Sequence, residues 1–124
     1  MLQHPYDPRY EPPAPVLPLR VSPPGGEPAV GLVALLDTGA DLSVIPEAVA
    51  RSLGLPLIAQ LRICGVVGGL VRPASVYAAK VELNGFSTLC EVVGLGDETL
   101  LGRNLLNQWT LVLHGPSQVL ELCP

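Results

Sequence analysis

Val33-Ala34-Leu35-Leu36-Asp37-Thr38-Gly39-Ala40-Asp41-Leu42-Ser43-Val44-Ile45-Pro46 is the stretch from which the fold is read. The apolar run Val30 to Leu36, with Gly31 inside it, has the length and composition of a buried strand, and it delivers Asp37 into a turn of small residues. Apolar residues flank the turn, Leu35-Leu36 before it and Leu42, Val44 and Ile45 after it. The turn is therefore expected to be anchored in a core while its acidic tip faces a cavity. Burial there opposes ionisation of the acid.

Far downstream, Leu100-Leu101-Gly102-Arg103-Asn104-Leu105-Leu106 repeats the logic: an apolar strand end meets a glycine that lets backbones approach closely. The two motifs together, hydrophobic-hydrophobic-Asp-Thr-Gly-Ala-Asp and Leu-Leu-Gly-Arg-Asn, resemble the retroviral-type (retropepsin-like) aspartic protease family over roughly residues 15 to 122. The resemblance implies an all-β, closed, barrel-like fold with a flap hairpin and one or two short helices. It also implies one active site per homodimer.

The chemistry leads to the same arrangement. Peptide hydrolysis by carboxylates needs two of them sharing a proton, one to take a proton from the attacking water and one to donate to the substrate carbonyl oxygen. Asp-Thr-Gly occurs once in the chain. Either the chain is no such enzyme or a copy of Asp37 comes from a second chain across a two-fold axis, where residues on the axis meet their own copies. By resemblance Asp37 is the catalytic residue. Thr38 would hydrogen-bond across the axis, Gly39 would permit the turn and offer its carbonyl to a substrate N–H, and Gly102 and Arg103 would support the site.

Asp41 matches the family's second acid, which contacts the substrate main chain and pairs with the arginine of the Gly-Arg motif, here Arg103. That pair is expected to be largely buried; an N-terminal turn acid that caps the link into the following helix is the alternative for Asp41. Ala40 lies between the two acids and joins the substrate-binding set. Leu42 stands where some members of the family carry another acid, so the outer subsites are expected to be less polar. Val66, Val67, Gly68 and Gly69 form a glycine-rich tip, read either as the flap, a lid that moves and excludes water, or as an ordinary hairpin turn. No phosphate loop is present there, because no Lys-Ser or Lys-Thr follows the glycines.

At 124 residues the chain reads as one domain, too small for two lobes with a cleft between them. Hydrophobic residues make up 48% and charged residues 15%, the balance of a globular chain. The net charge is −4 and the seven basic residues are scattered singly, so no nucleic-acid partner is expected. The N-terminus has no charged and apolar leader pattern, and no apolar run reaches about 18 residues, so no membrane partner is expected and a cytoplasmic location is. Cys64, Cys90 and Cys123 show no Cys-x-x-Cys spacing and are expected to be free thiols. Cys123 sits in the presumed interface strand, where either a disulfide that controls dimerisation or a buried inert thiol fits.

Residues 1–28 hold nine prolines, which excludes helix and any central strand. Residues 1–14 are expected to be a flexible arm and 15–124 the protease-like domain, with Val16 to Val21 an edge strand broken at Pro18. Pro46 is placed to open a short helix that Gly54 ends. Asn84-Gly85 signals a tight hairpin between Val76–Leu83 and Phe86–Val93. A short helix from Arg103 and strands over Trp109–His114 and Gln118–Cys123 complete the chain. By resemblance the termini interleave with those of the partner, burying Val119, Leu120 and Leu122. His4 and His114 have no ligand spacing, so neither metal nor other cofactor is expected. The serines lack a nucleophile elbow, so a serine or cysteine nucleophile is a poor alternative to the carboxylate-activated water that the resemblance implies. The partners are thus a second copy of the chain and an extended peptide. The rival is the same fold as a catalytically weak or inactive module for dimerisation or peptide binding.

Overall fold

The computed structural model describes residues 2–64 and 71–123. Its elements run β1 (Leu2–Pro5), β2 (Val16–Ser22), β3 (Val30–Leu36), β4 (Ser43–Ile45), α1 (Glu47–Ser52), β5 (Leu57–Cys64), β6 (Val71–Leu83), β7 (Phe86–Gly94), β8 (Leu100–Leu101), α2 (Arg103–Leu106), β9 (Thr110–His114) and β10 (Val119–Cys123). The all-β architecture expected from the sequence is present, with seven strands in the order β2-β3-β8-β4-β7-β6-β5. β2 also pairs with β6 through Arg20↔Glu82, Val21↔Val81 and Ser22↔Lys80, so the sheet closes on itself into a barrel. Closure satisfies edge hydrogen bonds that an open sheet leaves to solvent.

β2 is therefore not the plain edge strand its proline suggested. It pairs with β3 along Val16–Val21 and with β6 only from Arg20 onward. Pro18 precedes the stretch where a second neighbour needs its missing N–H, so closure and proline coexist. The hairpin from β6 to β7 is built as its sequence demands, because Asn84 (φ 46°) and Gly85 (φ 82°) both adopt the left-handed conformation of a two-residue turn.

α1 starts after Pro46, which occupies the cap position, and Gly54 (φ 64°) leaves it. Glu47 pins this helix to the barrel: its Oε1 accepts from the Tyr77 hydroxyl (2.8 Å) and from Arg51 Nε (2.9 Å). The main core is led by Leu17, Val21, Val81, Val92, Leu101, Leu105 and Leu120, all fully buried. Ala74, Val76 and Val93 form a smaller cluster with the partly buried Leu42, Val44 and Leu95. Among the described residues no helix is long and apolar enough to cross a membrane.

The termini differ from the expectation. Residues 2–14 do not form a free arm: β1 pairs antiparallel with β10 from Leu2↔Leu122 to Pro5↔Val119, and β10 pairs in turn with β9. Tyr6 N–H donates to the Gln118 carbonyl (2.9 Å) and Asp7 bridges to Ala14, which folds the proline-rich segment back on itself. Leu2 and Tyr6 pack against the core, so burial of their side chains compensates the ordering of the chain. Leu120 (0% exposed) and Leu122 (4%) lie in the chain's own core, and β10 has a neighbour of its own chain on each side. Val119, Leu120 and Leu122, expected by resemblance to be buried in the interface, are thus half-buried or buried already within one chain.

Candidate active site

The loop after β3 arches over the end of β8. β3 runs parallel to β8 through Leu35↔Leu100 and Leu36↔Leu101, and β4 returns on the other side of β8 through Val44↔Leu100. Asp37 leaves β3 with its N–H donating to the Leu101 carbonyl (3.0 Å). Its Oδ1 accepts the Gly39 N–H (3.0 Å), and its carbonyl accepts the Ala40 N–H (3.2 Å). The carboxylate is half-buried, while Thr38 and Gly39 are exposed beside it.

Gly102 emerges from β8 beneath this arch. A Cβ at that position would stand 2.6 Å from the carbonyl carbon and oxygen of Leu42 and 2.9 Å from the Ser43 nitrogen. Only glycine lets the two backbones cross so closely. Next to it, Arg103 N–H donates to the Ala40 carbonyl (2.8 Å) and Asn104 N–H to the Asp41 carbonyl (3.2 Å). The Arg103 guanidinium is divided: Nη1 donates to the Thr38 carbonyl (2.6 Å) and Nη2 to Asp41 Oδ1. One side chain thus ties together both ends of the Thr38–Asp41 segment.

The pair of Asp41 and Arg103 is exposed, 84% and 45% respectively, rather than largely buried as expected. Solvent reaches both groups in a single chain.

Two further residues escape a reading by motif. Ser43 is 2% exposed, and both its N–H and its hydroxyl donate to Asn104 Oδ1 (2.9 Å each), while its Oγ accepts the Gly102 N–H (2.9 Å). Asn104 Nδ2 continues to the Glu91 carbonyl (2.9 Å). This clamp fastens the exit of the aspartate loop to the Gly-Arg segment and to β7. Its only trace in the sequence is a hydroxyl residue between Leu42 and Val44 and an amide directly after Gly102-Arg103.

Asp37, Thr38, Gly39, Ala40, Asp41, Gly102 and Arg103 are therefore brought to one place. Val66, Val67, Gly68 and Gly69 lie outside the described residues. A hollow of about 480 Å³ lined by Pro18, Arg20, Gly31, Val33 and the Asn84–Gly85 turn lies toward the far end of β3 from Asp37. Burial, reinforced by the Glu91 carboxylate, pushes the Cys90 thiol up to about 11, so it stays protonated at neutral pH and is a poor nucleophile.

A closed barrel with an Asp-Thr-Gly arch braced by Gly-Arg is the fold of the retropepsin-like aspartic proteases. The family model described as gag-polyprotein putative aspartyl protease matches residues 29–108, which span both motifs. The chain belongs to that family. Among solved structures, the chain is similar to the EIAV protease complexed with the inhibitor HBY-793, at 25% identity and a TM-score of 0.52, over 77% of this chain and 86% of that one. It is similar to the simian foamy virus (mac) protease at 25% identity and a TM-score of 0.51, over 73% and 91% of the two chains. In fold it is also like a retropepsin-like aspartic protease from Rickettsia conorii, with a TM-score of 0.66 at 20% identity, over 98% of this chain and 89% of that one.

Proposed function

We propose that the chain is an aspartic endopeptidase that works as a homodimer, hydrolysing peptide bonds with a water activated between Asp37 and the copy of Asp37 in a second chain. The observation that carries this reading is the position of Asp37: one half-buried carboxylate, held at Oδ1 by the Gly39 N–H, on an arch braced by Arg103. A single carboxylate cannot act as base and acid at once, and two at contact distance share one proton. Their titration then belongs to the pair.

In the proposed reaction the ionised member takes a proton from water as the water oxygen bonds to the scissile carbonyl carbon. The protonated member gives its proton to the carbonyl oxygen. Transfer of a proton to the amide nitrogen then lets the C–N bond break, which frees an acid and an amine and restores the shared proton. Neither metal nor cofactor takes part. Gly39, Ala40 and Asp41 would meet the backbone of a peptide bound in extended form, and Val66, Val67, Gly68 and Gly69 would cover it. Thr38, Gly102 and Arg103 hold the arch.

Cleavage of a denatured protein mixture between about pH 3 and pH 8 tests this reading. Activity that follows a bell-shaped profile and disappears both with Asp37→Asn and with a statine-type inhibitor supports it. Activity that survives both changes refutes it. A dimer that cleaves nothing at any pH makes the chain a binding module.

A further inference from the structure

Gly31 stands in the apolar strand β3 with no local demand to explain it. Its φ lies outside the left-handed region, and a Cβ built there would meet nothing within 4 Å. The β2–β3 register runs through it unbroken from Val16↔Leu35 to Val21↔Val30. Gly102 is the contrast, since there a crossing backbone excludes any side chain. Glycine weakens a strand, and where neither a bulge nor crowding calls for it, close approach by another molecule remains. Gly31 lines the hollow of about 480 Å³ at the far end of β3 from Asp37. That volume is in the range of sites for small molecules.

Cross-strand pairing puts Arg20 opposite Gly31 and Pro18 opposite Val33, so these four positions share one face of the β2–β3 pair. Val33 is 51% exposed there, an apolar surface with nothing over it. Two charged residues line the hollow. Glu82 is paired with Lys80 (3.4 Å), so its charge is already balanced. Arg20 is exposed and makes no hydrogen bond or ion pair among the described residues. We infer that this hollow binds an aliphatic carboxylate, with the chain over Gly31 and Val33 and the carboxylate on the Arg20 guanidinium. The guanidinium fork matches the two oxygens of a carboxylate, and a hydrocarbon chain covers Val33 where the missing side chain of Gly31 leaves room. The site does not share a residue with the arch around Asp37, so it stands or falls independently of the protease reading.

Titration of the full chain with octanoate and with 1-octanol, followed by amide resonances, tests the site. Octanoate is expected to shift Gly31, Val33 and Gly85 saturably, with one molecule bound per chain. Gly31→Leu fills the hollow with a side chain that meets no neighbour, and is expected to raise the octanoate dissociation constant about tenfold or more with the circular dichroism spectrum retained. Val33→Glu, at an exposed position, does the same by repelling the carboxylate, so the test does not rest on one variant. Arg20→Gln weakens octanoate by about tenfold and leaves octanol unchanged. Arg62→Gln, the same charge change on β5, alters neither. Octanoate that shifts none of the three resonances, or that binds folded Gly31→Leu and Val33→Glu as it binds the parent, overturns the site. Equal losses for octanoate and octanol in Arg20→Gln, or equal effects of Arg20→Gln and Arg62→Gln, overturn the carboxylate assignment.

Discussion

Two aspartate–arginine pairs in this chain use the same groups for different ends. Asp7 and Arg9 are two residues apart: Arg9 Nε reaches both carboxylate oxygens (3.1 Å each), Nη2 adds a bond to Oδ2 (2.8 Å), and the Arg9 N–H adds another to Oδ1 (2.9 Å). Asp7 is 8% exposed and Arg9 81%. Asp41 and Arg103 are 62 residues apart and both exposed, and the guanidinium is shared with the Thr38 carbonyl. The first pair has better geometry, yet it closes only a turn that the chain would nearly close by itself. The second has the poorer environment, yet it joins two segments that no local preference brings together. Sequence separation, more than the quality of the contact, decides what depends on a pair.

The largest effect is expected from Arg103→Ala, which releases both the Thr38 carbonyl and Asp41. These acceptors are near solvent, so stability falls by only about 1 kcal/mol. The arch that carries Asp37 loses its brace, and a displacement of about 1 Å lowers activity by about a hundredfold. Peptide cleavage rates set beside thermal melting separate the two losses, and equal activity of Arg103→Ala and Arg9→Ala breaks the comparison. Arg103→Lys sharpens it. A single ammonium cannot reproduce the fork that serves a carbonyl and a carboxylate together, so activity returns in part and remains well below that of the parent.

Ser43→Ala probes the buried counterpart of the same junction. It leaves the Gly102 N–H without its acceptor and removes one of the two donors to Asn104 Oδ1, the backbone N–H of residue 43 being kept, at a cost of about 1–3 kcal/mol in a chemical denaturation series. Ser52→Ala, whose hydroxyl donates to the Val49 carbonyl in an exposed turn, is the matched control and changes little. The smallest effect belongs to Arg9→Ala. Amide exchange of β1 quickens while cleavage is unchanged, because the pair holds only the N-terminal hook.

The same hook has a pH signature. The Arg9 hydrogen bonds hold Asp7 below its ordinary value of 3.8. The folded form is thus the weaker proton binder, and the stabilisation is complete above that value and is lost as the pH falls through the lowered one. The protection of β1 amides, corrected for intrinsic exchange, is expected to fall only below about pH 3.8, and to fall less once Arg9 is replaced, because the backbone N–H of residue 9 still donates to Asp7.

Much of the barrel was legible because its signals are local. An uninterrupted apolar run makes β3, Asn84-Gly85 can only turn, and Gly54 ends α1 with a positive φ. The two motifs pointed to the arch because the close crossing of Leu42 and Gly102 tolerates no side chain. The buried state expected for Asp41 and Arg103 did not follow, since exposure depends on what covers the arch and not on either residue. Ser43 and Asn104 went unread for a related reason: a hydroxyl and an amide hydrogen-bond with almost any neighbour, and only the fold supplies the neighbour.

The sequence by itself therefore determined where the strands run, where they turn, and that one carboxylate is delivered on a loop of small residues. Those outcomes depend on dihedral preferences and on the period of apolar residues, which act over a few positions. The tertiary structure alone decided that β2 bonds on both sides, that the proline-rich start lies along β10, and that β10 takes β1 and β9 of its own chain as neighbours. Strand partners far apart in the chain are chosen by the register and burial available once the core has formed, and neither quantity is a property of the strand being paired.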